Sequence, residues 1–193
     1  MSQQRVTYTP ESLLRVAVEL FNERGYDGAS MGQLAEAAGI TKSSIYHHVR
    51  GKEDMLRLAL ERATGVLFAL LDEPDATTGR AIDRLRYVVW RATEVLIEEL
   101  PYVTLLLRAR GNTETERWAL DRRRELDHRV ADLVARAAAE GDLRADIEPR
   151  LAARLLFGLV NSVSEWYRPG RSGAGPRQVG EAVAAVAFDG LTA

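Results

Sequence analysis

"GITKSSIYHHVRGKEDM", residues 39–55, decides the fold. Thr41 has the side chain to cap a short helix, and Ile45 and Val49, four residues apart, give that helix one apolar side. With those two turned inward, Lys42, Ser43, Ser44, Tyr46 and His47 lie largely on the other sides. No carboxylate occurs between Lys42 and Lys52. Hydrogen-bonding groups without a neighbouring acid, on a helix whose start carries positive partial charge, suit contact with a polyanion. Just upstream, "SMGQLAEAAG" has Ser30 and Gln33 at capping-box spacing and Gly39 as its stop. Two short helices joined at Gly39 form a helix-turn-helix pattern. In that pattern Lys42, Ser43 and Ser44 are placed for base edges in a major groove, and Tyr46, His47 and Lys52 for phosphates. The free N–H groups of the helix capped by Ser30 offer another phosphate position.

Spacing alone also fits a small helical subdomain with a solvated polar side. The longer stretch "GYDGASMGQLAEAAGITKSSIYHHVRGKEDML" narrows the choice, because it resembles the N-terminal signature of TetR-family transcriptional regulators. The matching residues are Gly25, Leu34-Ala35, Ala38-Gly39-Ile40-Thr41, Ile45-Tyr46, His48, Gly51-Lys52-Glu53 and Leu56. Val49 departs from the pattern, where phenylalanine is usual, and the smaller side chain leaves the junction of the third and fourth helices less filled. The resemblance implies that Tyr46 and Lys52 grip phosphates, that Lys42 to Ser44 lie near bases, and that the chain dimerises through its last two long helices.

The remaining sequence reads as helix. "TPESLLRVAVELFNERG" has Thr9 as cap, Pro10 at the first position and an apolar stripe of Leu13, Ala17, Leu20 and Phe21. A long fourth helix begins near Lys52 and closes at Glu73-Pro74, followed by a loop, "DEPDATTGR". A fifth is expected from about Arg80 to Leu100, broken by Pro101, and a sixth to about Arg108. Thr113 and Glu116 cap a long charged helix ending at Gly141, Pro149 opens the next, and "RQVGEAVAAVAFDGL" is the last. No segment alternates with period two. The fold class expected is all-α with about nine helices: a helix-turn-helix DNA-binding domain over 1–52, and a helical effector-binding and dimerisation domain over 53–193.

The helix from Pro149 is apolar over most of its girth, so it must be covered on two sides. Leu151, Leu155, Leu159 and Val163, with Val179, Val183 and Val186 of the last helix, form the expected homodimer face as a four-helix bundle. For a ligand site the candidates are the aromatic, cationic and amide residues of the middle and late helices: Trp90, Arg91, Tyr102, Arg108, Trp118, Arg122, Asn161 and Trp166. The C-terminal "WYRPG" and final helix resemble a TetR subgroup that senses acyl-CoA thioesters. That resemblance implies that Arg108, Arg110 or Arg122 offsets the CoA phosphates. A hydrophobic, drug-like or lipid effector is the rival.

Composition sets the outer bounds. The chain has 193 residues, 46% hydrophobic, with a net charge of −2 and no cysteine. Any basic surface is therefore local, and neither a disulfide framework nor a thiolate metal site is available. His47 and His48 are adjacent and diverge by about 100° on a helix, so they cannot share a metal. No phosphate loop, nucleophile elbow or HExxH is present. No enzyme activity, cofactor, metal or membrane partner is expected. The N-terminus lacks a signal-peptide core, so the expected location is cytoplasmic. The reading is a ligand-responsive repressor binding double-stranded operator DNA as a dimer. The alternative is a helical interaction or ligand-carrier protein without sequence-specific DNA binding.

Overall fold

The computed structural model describes residues 9–191. Residues 1–8, part of the N-terminus where no signal peptide is expected, and 192–193 lie outside the described residues. Among the described residues there are ten α-helices and no strand. The first four are α1 (Pro10–Arg24), α2 (Met31–Ala38), α3 (Lys42–Tyr46) and α4 (Lys52–Ala69). Then come α5 (Pro74–Thr77), α6 (Ala81–Glu98), α7 (Leu100–Arg108), α8 (Glu114–Ala139), α9 (Pro149–Trp166) and α10 (Pro176–Phe188).

Local chemistry sets most boundaries. Thr9, Ser30 and Thr113 each make a full capping box, and Thr41 Oγ1 accepts from the Ser44 N–H at 3.2 Å. Gly39 takes φ +64° and ψ 28°, a left-handed conformation that costs a side-chain-bearing residue energy, and its N–H returns to the carbonyls of α2. Two expectations need correction. α5 occupies part of the expected loop, because Pro74 starts a turn whose carbonyl accepts from the Thr78 N–H at 2.9 Å and its hydroxyl at 2.8 Å. Leu100 opens α7 rather than closing α6, since Pro101 is tolerated in a first turn. α9 is capped by Glu148, whose carboxylate accepts from Arg150 N at 3.0 Å and Leu151 N at 2.8 Å.

α1 to α3 close around Leu13, Ala17, Phe21, Leu34 and Ile45, all buried. Val49 is buried too, although α3 stops at Tyr46, because the Val49 N–H still donates to Ile45 O at 3.1 Å. α4 belongs to both halves: Met55 and Leu56 fill the base of the three-helix unit, while α7 and α8 pack along it, from Glu53, which accepts from Thr115 Oγ1 at 3.1 Å, to Phe68, covered by Arg122. Beyond it α6 is central, packed by α8, α9 and α10 through Leu85, Val88, Val89 and Leu96. No helix among the described residues is long and apolar enough to cross a membrane.

Candidate nucleic-acid and effector sites

The outer surface of α3 gathers Lys42, Ser43, Tyr46, His47 and His48, all exposed, with Tyr46 53% accessible despite its ring. Ser44 is only half exposed. Thr41 Oγ1 lies 2.8 Å from Ser43 Oγ and 2.9 Å from Ser44 Oγ, so three hydroxyls share hydrogen bonds at the helix start. Ser30 is exposed at the neighbouring start of α2, with its hydroxyl accepting from Gln33 N.

Lys52 sits differently from the residues expected beside it. Its ammonium donates to Tyr26 O at 2.8 Å and Ala29 O at 3.0 Å and lies 4.2 Å from the centre of the Tyr26 ring. Two of its three N–H groups are therefore committed to the α1–α2 loop, leaving one free to turn outward. The sequence carried no signal for this, because the loop carbonyls are 23 and 26 residues away. Burial pushes the Tyr26 phenol above its ordinary pKa, helped by the carboxylates of Glu53, Asp27 and Glu116.

A second site lies between α4, α6, α7, α8 and α9. Its walls are apolar: Leu67, Phe68, Leu96, Leu106, Phe157 and Val160. Arg122, Arg123, Asp127 and Asn161 supply the polar part of its lining. The cavity holds about 30 Å3, room for one or two waters, so the walls are nearly closed on one another. The Arg122 guanidinium lies 3.8 Å from the centre of the Phe68 ring and donates to Glu125 at 2.5 Å. Arg123 makes no ion pair among the described residues. Desolvation raises the Asp127 carboxyl above its usual range, against the lowering pull of Arg123, Arg154 and His128, although the residue as a whole is exposed at the rim of the cavity.

Of the eight ligand candidates, only Arg122 and Asn161 line this cavity. Trp90 instead wedges against Gly180 of α10, where a Cβ would come within 2.8 Å of it. Arg91 is held by Glu94, Glu98 and Glu73 on the α6 surface. Tyr102 is buried under Arg62, whose guanidinium lies 4.4 Å from its ring centre. Arg108 donates to Asn22 O at 2.9 Å, and Arg110 shares with it an outer cleft between α1 and α7. Trp118 and Trp166 are exposed. Helical spacing could not separate these positions, since each depends on which neighbour packs there. The cavity residues missed, Thr64, Leu67 and Phe68, sit on α4 and look in sequence like ordinary core.

The proposed dimer stripe divides in two. Leu151 and Leu155 of α9 point outward, 48% and 61% exposed, and so does Val186 of α10. Leu159 is half-buried. Val163, Val179 and Val183 turn into the chain's own core, because α9 packs on α6 and α8 and α10 packs on α6. The outward α9 side continues through Gly158, Ser162 and Trp166, with Gln178, Ala182 and Ala185 exposed on α10.

Comparison with known proteins agrees with this architecture. Residues 13–59 match the family described as bacterial regulatory proteins of the tetR family, and residues 78–191 match the tetracyclin repressor-like C-terminal domain. A crystal structure of a TetR-family transcriptional regulator from Streptomyces coelicolor A3 is 64% identical, covering 97% of this chain and 94% of that one, with a TM-score of 0.90. The HTH-type transcriptional repressor KstR2 of Mycobacterium tuberculosis is 27% identical over 186 residues, 93% of this chain and 91% of that protein. Its solved structure, named as a ketosteroid transcriptional regulator, gives a TM-score of 0.85, covering 98% of this chain and 97% of that one. The fatty acid metabolism regulator protein of Bacillus subtilis is 23% identical over 169 residues, 86% of each chain.

Proposed function

The chain belongs to the TetR family of bacterial transcriptional regulators, and on that premise we propose that it binds a palindromic operator as a homodimer and leaves it when a small amphipathic effector enters the cavity. The observation that carries DNA binding is the outer side of α3. Lys42, Ser43, Tyr46 and His47 stand free there without a carboxylate among them, while Ile45 and Val49 anchor the helix from behind. Lys42 and Ser43 read base edges, with Ser44 beside them. Tyr46, His47 and the α2 start at Ser30 take phosphates. Lys52 acts mainly by holding the α1–α2 loop, with one N–H left for the backbone. A fold so arranged works as a repressor in the cytoplasm and carries no catalysis. The reader extends over 1–52, with α4 as the element it shares with the effector-binding part.

Two copies meeting through the outward α9–α10 side, centred on Leu151, Leu155 and Val186, would set the recognition helices on half-sites about 34–36 Å apart. The effector chemistry follows from the cavity. Its apolar walls suit an acyl or steroid-like body, and the unpaired Arg123 with Arg122 and Asn161 suits an anionic or thioester head. The names of KstR2 and of the Bacillus subtilis protein, which refer to ketosteroids and fatty acids, support an apolar effector, and acyl-CoA thioesters are the first class to screen. Since Thr64, Leu67 and Phe68 of α4 form one wall, opening the cavity shifts α4 and with it the reader. A coupling of about 1–3 kcal/mol suffices for release.

The test is fluorescence anisotropy with palindromic duplexes from the chain's own upstream region, at moderate salt. Saturable, sequence-dependent binding lost on Lys42→Ala supports the reading. Binding of equal strength to every duplex, or to none, removes it.

A further inference from the structure

We infer that Arg62 is a positioning residue that ties the effector cavity to the DNA reader, by holding three helices at one guanidinium. This deepens the function proposed above and rests on it.

Arg62 lies in the middle of α4. Nε donates to Glu99 Oε2 at 2.7 Å and Nη2 to Glu99 Oε1 at 2.8 Å, a two-pronged grip on one carboxylate. Nη1 reaches Glu11 Oε1, in the first turn of α1, at 3.3 Å. The guanidinium also covers the buried Tyr102 ring at 4.4 Å. One side chain thus joins the reader's first helix, the connecting helix α4, and the corner between α6 and α7.

That corner adjoins the cavity on three sides. Ala92 and Leu96, before Glu99, line it from α6; Val103, Leu106 and Leu107, after it, line it from α7; Thr64 and Phe68 line it from α4 just beyond Arg62. The same corner is gripped again from the reader, since Asn22 Nδ2 donates to Pro101 O at 2.7 Å. An occupant larger than one or two waters must displace lining helices, and three of the five that line the cavity, α4, α6 and α7, are the ones Arg62 and Glu99 join. Parting them drags on Arg62–Glu99, and Arg62 passes the movement to α1 through Glu11. Arg62 touches neither effector nor DNA.

The experiment replaces the unidentified effector with a wall-forcing substitution. Ala92→Leu adds three carbons to a cavity without room for them, so the walls separate as an occupant would make them. Val160→Leu, which adds one carbon, is the milder filling where Ala92→Leu prevents folding. Arg62→Lys keeps the charge but gives up the planar fork that holds Glu99 with two parallel bonds. Operator affinity is measured for the full-length wild type, the filled variant, Arg62→Lys and the double variant, on a duplex selected by the wild type from a random pool. With Arg62 present, filling should weaken operator binding by about five-fold or more. In the Arg62→Lys background the loss should shrink below about two-fold. A purely structural effect of Arg62→Lys cancels in this ratio, so it cannot imitate the result. An equal loss in both backgrounds, or no loss on filling the wild type, overturns the role of Arg62 and leaves the regulator reading standing. Recovery of no operator at all takes both down.

Discussion

Removing the Lys52 ammonium separates two roles that its position near the reader allows. Lys52→Ala deletes two charge-assisted hydrogen bonds, to Tyr26 O at 2.8 Å and Ala29 O at 3.0 Å, and a stacking contact with the Tyr26 ring. A hydrogen bond to a charged group contributes about 1.5–3 kcal/mol, but here the side chain is only partly buried, so water can re-enter. Tyr26 O also keeps its bond from the Ala29 N–H at 3.3 Å. Discounting for both, the loss is about 2 kcal/mol, which lowers Tm by about 4–8 °C for a chain of this size. DNA binding then falls because the loop before α2 loosens, and not because a phosphate contact is lost. The slope of log affinity against log salt should change by less than about 0.5, where full loss of one phosphate contact gives about 0.9. The assays are thermal unfolding by circular dichroism and an anisotropy salt series. An unchanged Tm together with a slope flattened by about 0.9 would refute the inward role of Lys52.

Three further outcomes follow from the geometry. Gly180→Ala brings a Cβ within 2.8 Å of both Trp90 Cδ1 and Trp90 O, and since the second is backbone, α6 and α10 must part. Overpacking of about 1–3 kcal/mol, partly offset by about 1 kcal/mol of helix propensity, gives a net destabilisation of at most about 2 kcal/mol in chemical denaturation. Leu155→Glu, at a position 61% exposed, should leave the monomer's fold intact and convert a dimer to a monomer in light scattering; a dimer that persists moves the interface elsewhere. The Tyr87 phenol is pushed up to about 12 by desolvation first and by its hydrogen bond to Glu73 second. Its contribution is therefore full below pH about 10, where the unfolded phenol titrates, and is lost as pH rises towards 12. Tyr87→Phe should remove that part of the alkaline loss, seen as a smaller drop in stability across the window.

What the sequence made legible was chiefly local. Thr9, Ser30, Thr41 and Thr113 announce helix starts because a hydroxyl needs only the N–H two or three residues on. Ile45 and Val49 announce the inner side of α3 because helical geometry alone puts them together. What stayed hidden depended on distant partners. Lys52 turns inward because two carbonyls of the α1–α2 loop wait there. Val179 and Val183 are buried in the chain's own core, because α6 offers them a surface, with Trp90 against Gly180. The cavity walls on α4 looked like any apolar stripe, since nothing in Thr64, Leu67 or Phe68 says whether the far side is filled. Aromatic and cationic residues were a poor guide to that site. Their side chains are long enough to find ion pairs on the surface, as Arg91 does, or to lie in the open, as Trp118 and Trp166 do.

The tightness of the cavity has a consequence for sensing. A regulator whose binding chamber rests shut responds only through the small share of molecules in which it stands open, so the concentration that trips it exceeds the intrinsic dissociation constant by the inverse of that share. If about one molecule in a hundred is open, the trigger point rises about a hundred-fold. The bulk of Phe68 and Phe157 would then act as a dial on the set point, and trimming either ring would make the same switch answer to scarcer signals.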